Sequence, residues 1–174
     1  MRKLRRILRR VTSEVSRHLD LRRRADGVDV SGSARRGHGL FALRAYEPGE
    51  LILAISGSIA RERGEYTIQV GRDAHIEPDS PLRYANHSCD PNSGIRISAE
   101  GAPALHAMRA IRAGEEITWD YAMAEADFVI RGVAASFPCR CGAEHCRGVV
   151  AGGWSGLPAE RRRSYADWVM PHLR

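Results

Sequence analysis

Arg83-Tyr84-Ala85-Asn86-His87-Ser88-Cys89-Asp90-Pro91-Asn92 crowds an amide, an imidazole, a hydroxyl, a thiol and a proline-fixed turn into one short run. Asn86, Ser88, Asp90 and Asn92 can each bond nearby backbone, so the stretch is expected to be an irregular loop stitched by side chains. Pro91 fixes its own φ and holds Asp90 extended, which stops the segment from running on as a helix. Taken alone it also reads as a surface turn, since turns are built from the same residue types.

Two downstream segments bear on that choice. Gly114-Glu115-Glu116-Ile117-Thr118-Trp119-Asp120-Tyr121 reads as a strand ending in a tyrosine, and Cys139-Arg140-Cys141-Gly142-Ala143-Glu144-His145-Cys146 is a tight thiol cluster. With Gly37-His38-Gly39-Leu40-Phe41-Ala42 upstream, this ordered set resembles the SET domain of protein lysine methyltransferases followed by its cysteine-rich post-SET tail. The resemblance covers about residues 28 to 150. It implies a mainly β fold of short strands with a knot-like threaded C-terminal segment, a few short helices and a post-SET zinc site. The expected organisation is a basic arm over 1–27, a SET domain over 28–135, a zinc-binding segment over 136–152 and a C-terminal helix over 153–174.

The chain's size and charge agree with one catalytic-size domain carrying extensions. Its 174 residues, 43% of them apolar, suffice for one ordinary core. The net charge of +6 is uneven: residues 1 to 24 hold ten basic and two acidic side chains, so the rest is slightly acidic. Leu4, Ile7, Leu8, Val11, Val15 and Leu19 fall at helical spacing among those arginines, which predicts an amphipathic basic helix able to dock on the domain, nucleic acid or an acidic membrane. A solvated arm is the alternative. No apolar run is long enough to span a membrane, and no apolar stretch follows the N-terminal charges as a secretory signal requires. Cytoplasmic residence is the expectation. Lys3 is the sole lysine, so an enzyme methylating lysine would find almost nothing to modify on itself.

From Val28 onward the pattern is β-like, with strands expected at Val28 and Val30, Leu40 to Leu43, Leu51 to Ile55, Tyr66 to Val70, Ala74 to Ile76, Ile95 to Ile97, Ala104 to Met108 and Ile117 to Tyr121. A short helix is expected near Glu125 to Ala135 and another from Leu157 to Leu173, with Tyr165, Trp168 and Val169 facing the core. Residues 42 to 52 and 107 to 117 share Ala-x-Arg-Ala-x-x-x-Gly-Glu-x-Ile. Two copies are too few for a solenoid, and they read as two similar corners with a glycine at each turn and a glutamate entering the next strand.

The resemblance assigns roles residue by residue. Gly37, His38, Gly39 and Leu40 match the turn that wraps the methionine end of S-adenosylmethionine, mainly through backbone; by itself Gly-x-Gly is as readily a hairpin. Asn86 and His87 resemble the pair whose main chain contacts the adenine, and Tyr84 stands where the family usually has phenylalanine. Tyr121 matches the catalytic tyrosine. Tyr66 lies where an aromatic lines the lysine channel, though an ordinary strand tyrosine is equally consistent. Trp119 replaces the Phe or Tyr common two residues before the catalytic tyrosine and leaves the number of methyl groups added open. An amine of reference pKa about 10.4 must lose its proton before attack, and an apolar channel beside a sulfonium disfavours the ammonium. No Asp or His base is therefore expected.

Cys139, Cys141 and Cys146 supply three thiolates, and structural zinc takes four tetrahedral ligands. Cys89 completes the set in the arrangement the SET family uses, tying the tail to the loop at 83–92; His145 is the other candidate. The expected acceptor is a protein, with a basic chromosomal or ribosomal one suggested by family analogy. Two other classes compete: a SET-like module that binds without transferring methyl, and a nucleic-acid-binding zinc protein using the basic arm.

Overall fold

The computed structural model describes residues 24–25, 27–34, 37–79, 81–99, 101–130, 133–165 and 167–174. The helix expected over the first 23 residues lies outside them. Of that arm, Arg24–Ala25 forms a strand, β1, paired antiparallel with β2 (Val28–Ser33), so the sheet begins upstream of the expected boundary at 27.

β2 continues through a hairpin into β3 (Gly37–Ala42), which pairs with β11 (Glu116–Trp119), and β11 pairs in parallel with the two-residue β8 (Asn86–His87). A second sheet is β4 (Leu51–Ala54), β10 (Pro103–Ala107) and β9 (Ser93–Ile97), in that order. A third is β5 (Gly57–Ala60), β7 (Ala74–Pro78) and β6 (Ile68–Gly71). Two hairpins, β12 (Val129–Ile130) with β13 (Val133–Ala134) and β14 (Ser136–Pro138) with β15 (Val149–Ala151), complete the strands. Val28, Leu40, Ile95, Leu105 and Ile117 are fully buried and knit the first two sheets into one core.

The repeated corner motif is a pair of interlocking parts. Tyr46 and Ile111, at equivalent positions, exchange backbone hydrogen bonds of 2.9 and 3.0 Å. Gly49 N–H donates to the Ala107 carbonyl at 2.7 Å, and the equivalent Gly114 N–H donates to Ala42 at 2.7 Å. Each corner carries the same Arg–Glu ion pair, Arg44 with Glu50 and Arg109 with Glu115. Each glutamate also accepts from the same turn amide, Glu47 N–H at 2.9 Å and Arg112 N–H at 3.0 Å. The sequence echo is thus a local two-fold in which each copy supplies the other's hydrogen-bond partners.

Both expected helices change form. Glu125 to Ala135 holds the β12–β13 hairpin instead, preceded by a 3-10 turn at Tyr121–Met123 that ends the strand before Tyr121. Among the described residues the C-terminal tail makes α1 (Ala159–Ser164) and a 3-10 turn at Pro171–Leu173. Of the residues expected to face the core, Tyr165 and Val169 are buried and Trp168 is partly buried; Met170 is buried as well, yet the backbone there bonds to other elements. Ile95 N–H donates to the Trp168 carbonyl, and Met170 N–H to Met123. Tertiary partners for those groups take the place of the intrahelical bonds that a continuous helix would need there. No helix among the described residues is long and apolar enough to cross a membrane.

Candidate functional site

The segment 83–92 is stitched by side chains, over longer reach than a turn. Ser88 acts locally, its hydroxyl accepting from Asp90 N–H at 3.1 Å. Asn92 works as a missing strand: its Nδ2 donates to the Glu116 carbonyl at 2.8 Å and its Oδ1 accepts from Thr118 N–H at 2.9 Å. Asn86 Nδ2 donates to the His38 carbonyl at 2.9 Å and to Glu116 Oε1 at 2.7 Å. Glu116 also accepts from the Ser33 hydroxyl at 3.2 Å, so one carboxylate fastens β8 to the β2–β3 hairpin. That explains both glycines there: Gly37 adopts φ of 73°, and a Cβ on Gly39 would collide with the Glu116 carboxylate.

These constraints frame a cleft of about 480 Å³. Tyr121, Trp119, Tyr66, Tyr84, Asn86, Gly37 and His38 all line it. Gly39 and Leu40 do not; Leu40 is fully buried in the core, and Gly39 is packed beneath Glu116. The His87 ring is likewise 1% exposed, lodged between the Tyr121 amide, 3.3 Å from Nδ1, and Cys89 Sγ, 3.4 Å from Nε2. Its ring edge meets Tyr121 with centroids 5.2 Å apart, so it braces the tyrosine from behind.

Tyr121 hydroxyl donates to the Ala85 carbonyl at 3.2 Å, and both residues line the cleft. Trp119 lies 5.2 Å from the tyrosine ring and Phe137 6.2 Å from it, with Phe128 against Phe137. The result is a phenol oxygen and a carbonyl set in an aromatic wall. Tyr66 is 43% exposed at the rim, with the Arg83 guanidinium 4.5 Å above its ring. The neighbouring Glu65 charge raises its phenol above the ordinary value.

Several lining residues escaped the sequence reading. Phe137 and Phe128 are two of only three phenylalanines, and Phe137 stands two residues before Cys139, a signal available in hindsight. Glu125 had none. It is 3% exposed, accepts from Gln69 N–H at 3.1 Å and faces Arg63 Nη1 at 3.2 Å. Burial outweighs that cation and pushes its carboxyl up to about 7.

Behind Phe137 the four cysteines converge. Their sulfurs all lie within 4.8 Å of one another, and Cys89 Sγ to Cys139 Sγ is 3.8 Å. Tetrahedral zinc with bonds of about 2.3 Å separates its sulfurs by roughly 3.8 Å, so the donor set fits. Backbone N–H groups of Arg147 and Gly148 point at Cys89 and Cys146 sulfurs from 3.4 and 3.5 Å, the outer shell thiolates need. His145 is exposed and outside the cluster, which removes it as the fourth ligand among the described residues. Arg147 Nη2 reaches on to the buried Asp120 at 2.8 Å, beside Tyr121.

The SET domain family model matches residues 37–122. Histone-lysine N-methyltransferase 2B of Homo sapiens is 32% identical over 142 residues, 70% of this chain and 5% of its own length. Methyltransferase flvH of Aspergillus flavus is 31% identical over 134 residues, 76% of this chain and 70% of its own. Among solved structures, KRYPTONITE in complex with mCHH DNA, H3(1-15) peptide and SAH superposes with a TM-score of 0.60 at 24% identity, over 70% of this chain and 29% of that one, and shows the fold. This chain therefore spans only a small part of the large histone methyltransferases it matches, but most of flvH. With that relative covered over two thirds of its length, and with residues 37–122 enclosing the cleft up to Tyr121, the chain belongs to the SET domain family.

Proposed function

We propose that this protein is a lysine N-methyltransferase, moving a methyl group from S-adenosylmethionine to the side-chain amine of a lysine in a protein. The observation that carries the reading is the Tyr121 hydroxyl, hydrogen-bonded to the Ala85 carbonyl and walled by Trp119 and Phe137 in the cleft. The cofactor supplies the methyl group as part of a sulfonium, whose positive charge is lost on transfer. Gly37, His38, Tyr84 and Asn86 would hold it along one side of the cleft, with Gly39, Leu40 and His87 shaping those strands from beneath. Tyr121 orients the amine, with Trp119 and Tyr66 lining its approach. The aromatic wall excludes water and lowers the cost of a neutral amine. Rate comes chiefly from alignment, which can reach roughly 7 to 11 kcal/mol in favourable systems.

Cys89, Cys139, Cys141 and Cys146 would hold zinc. With four protein ligands it has no position for water, so its role is structural: it fixes the tail that carries Phe137 over the cleft. Free thiols suit a reducing compartment, and we place the protein in the cytoplasm. The first 23 residues of the basic arm, outside the described residues, are suited by their charge to contact nucleic-acid phosphate.

The test is methyl incorporation from labelled S-adenosylmethionine into core histones, ribosomal proteins and free L-lysine, since flvH is named only as a methyltransferase. The expectation is transfer to a protein, and a Tyr121→Phe variant that binds S-adenosylhomocysteine like the parent while transfer drops by about 10²-fold or more. Binding with no transfer to any acceptor would favour the non-catalytic module.

A further inference from the structure

The buried carboxylate that lines the cleft also borders a second one. Glu125 and Arg63 form the partition between the tyrosine cleft and a polar cleft of about 550 Å³ on the opposite side, which His75, Gln69 and Arg72 also line. Buried polar groups are nearly always paired. Here Arg63 Nε and His75 Nδ1 are buried without a hydrogen-bond partner among the described residues, and Glu125 Oε2 has the Arg63 ion pair at 3.2 Å but no hydrogen bond, so polar capacity is left over on both sides of one partition. Such a grouping is what a water-filled passage leaves when only protein atoms are counted.

We infer that Glu125 accepts the proton the target lysine must lose and passes it to solvent through this second cleft. The inference rests on the methyl-transfer reading. In the step, the ammonium gives one proton to the Glu125 carboxylate, directly or across one water, leaving a neutral amine and a carboxylic acid. The nitrogen lone pair then forms the new N–CH3 bond as the S–CH3 bond breaks and its electron pair stays on sulfur. The carboxylic acid releases its proton to water in the second cleft before the next turnover.

The groups facing Glu125 suit this role. Arg63 lowers its proton affinity and Asp127 raises it, while burial dominates. The result, about 7, is where an acceptor is both ionised often enough and basic enough to work near neutral pH. His75, from β7, is held below its usual value by burial, Arg63 and His172, which disfavours a competing positive charge there. Burial likewise holds His172 of the tail low. Glu62, Arg72 and Asp127 border the outer cleft, and Glu65 the inner one.

The experiment is the pH profile of kcat/KM on a lysine peptide from pH 6 to 10 for the parent, Glu125→Gln and Arg63→Gln, each first shown to melt cooperatively and to bind S-adenosylhomocysteine. The parent should rise through a limb near pH 7. Glu125→Gln should be about 10²-fold slower at pH 7, with the deficit shrinking steadily toward pH 10 as hydroxide takes over. Arg63→Gln should move the parent's limb to higher pH, because it removes the cation that holds Glu125 down. Profiles of both variants parallel to the parent, whether level or uniformly depressed, would overturn the inference. If Glu125→Gln does not fold, the position of the Arg63→Gln limb decides alone. A parent inactive at every pH would instead sink the methyl-transfer reading, and the proton path with it.

Discussion

Glu125 has a cost in stability as well as a use. Its carboxyl keeps a proton in the folded state up to about pH 7, whereas in the unfolded chain it gives one up near 4.5. Between those values the native state binds more protons than the unfolded state, so stability falls as pH rises through the window. Relative to Glu125→Gln, the parent should lose on the order of 3 kcal/mol between pH 5 and pH 8, read as a growing gap in urea midpoints. A constant gap would mean that Glu125 is ionised throughout. This residue was invisible in the sequence because its meaning comes from Gln69 and Arg63, which only the fold brings to it. Tyr121, Cys89 and the three tail cysteines were legible because fixed local spacing carries their chemistry.

Elements divide along similar lines. Strands with alternating apolar residues and glycine turns were readable, as were the two repeated corners, whose glycines adopt φ of 86° at Gly49 and 82° at Gly114. Nothing lies within 4 Å of a Cβ at Gly114, and at Gly49 only the end of Arg96 does, at 3.7 Å. Substitution at either should thus cost backbone conformation alone, about 1 kcal/mol for alanine and less for asparagine, nearly equal at the two sites. Chemical denaturation of the four single variants checks it, and a large inequality would break the two-fold equivalence. The tail was misread for the complementary reason. Helical composition from Leu157 to Leu173 says nothing of the backbone partners at Ile95 and Met123 that take residues 168–170 out of a helix.

Across the whole molecule, the cysteine cluster joins the middle of the chain to its end. Elemental analysis should find about one zinc per chain, and Cys89→Ser should lose it. Because the binding energy of such a metal is largely folding energy, chelation should open residues 136–151 to protease while the sheets keep their amide protection. Full zinc in Cys89→Ser would place the fourth ligand elsewhere. Metal loss should also lower methyl transfer, since Phe137 rides on that tail. The interlocked corners set a different condition, one of time. The amides of Tyr46, Gly49, Ile111 and Gly114 are satisfied only across the two corners, and the β5–β7–β6 sheet and the whole loop at 83–92 lie between them in sequence. Neither can be completed as the chain emerges from the ribosome until residue 115 is out. Folding of this domain is consequently a late, all-or-nothing closure, slow by the measure of its distant pairings.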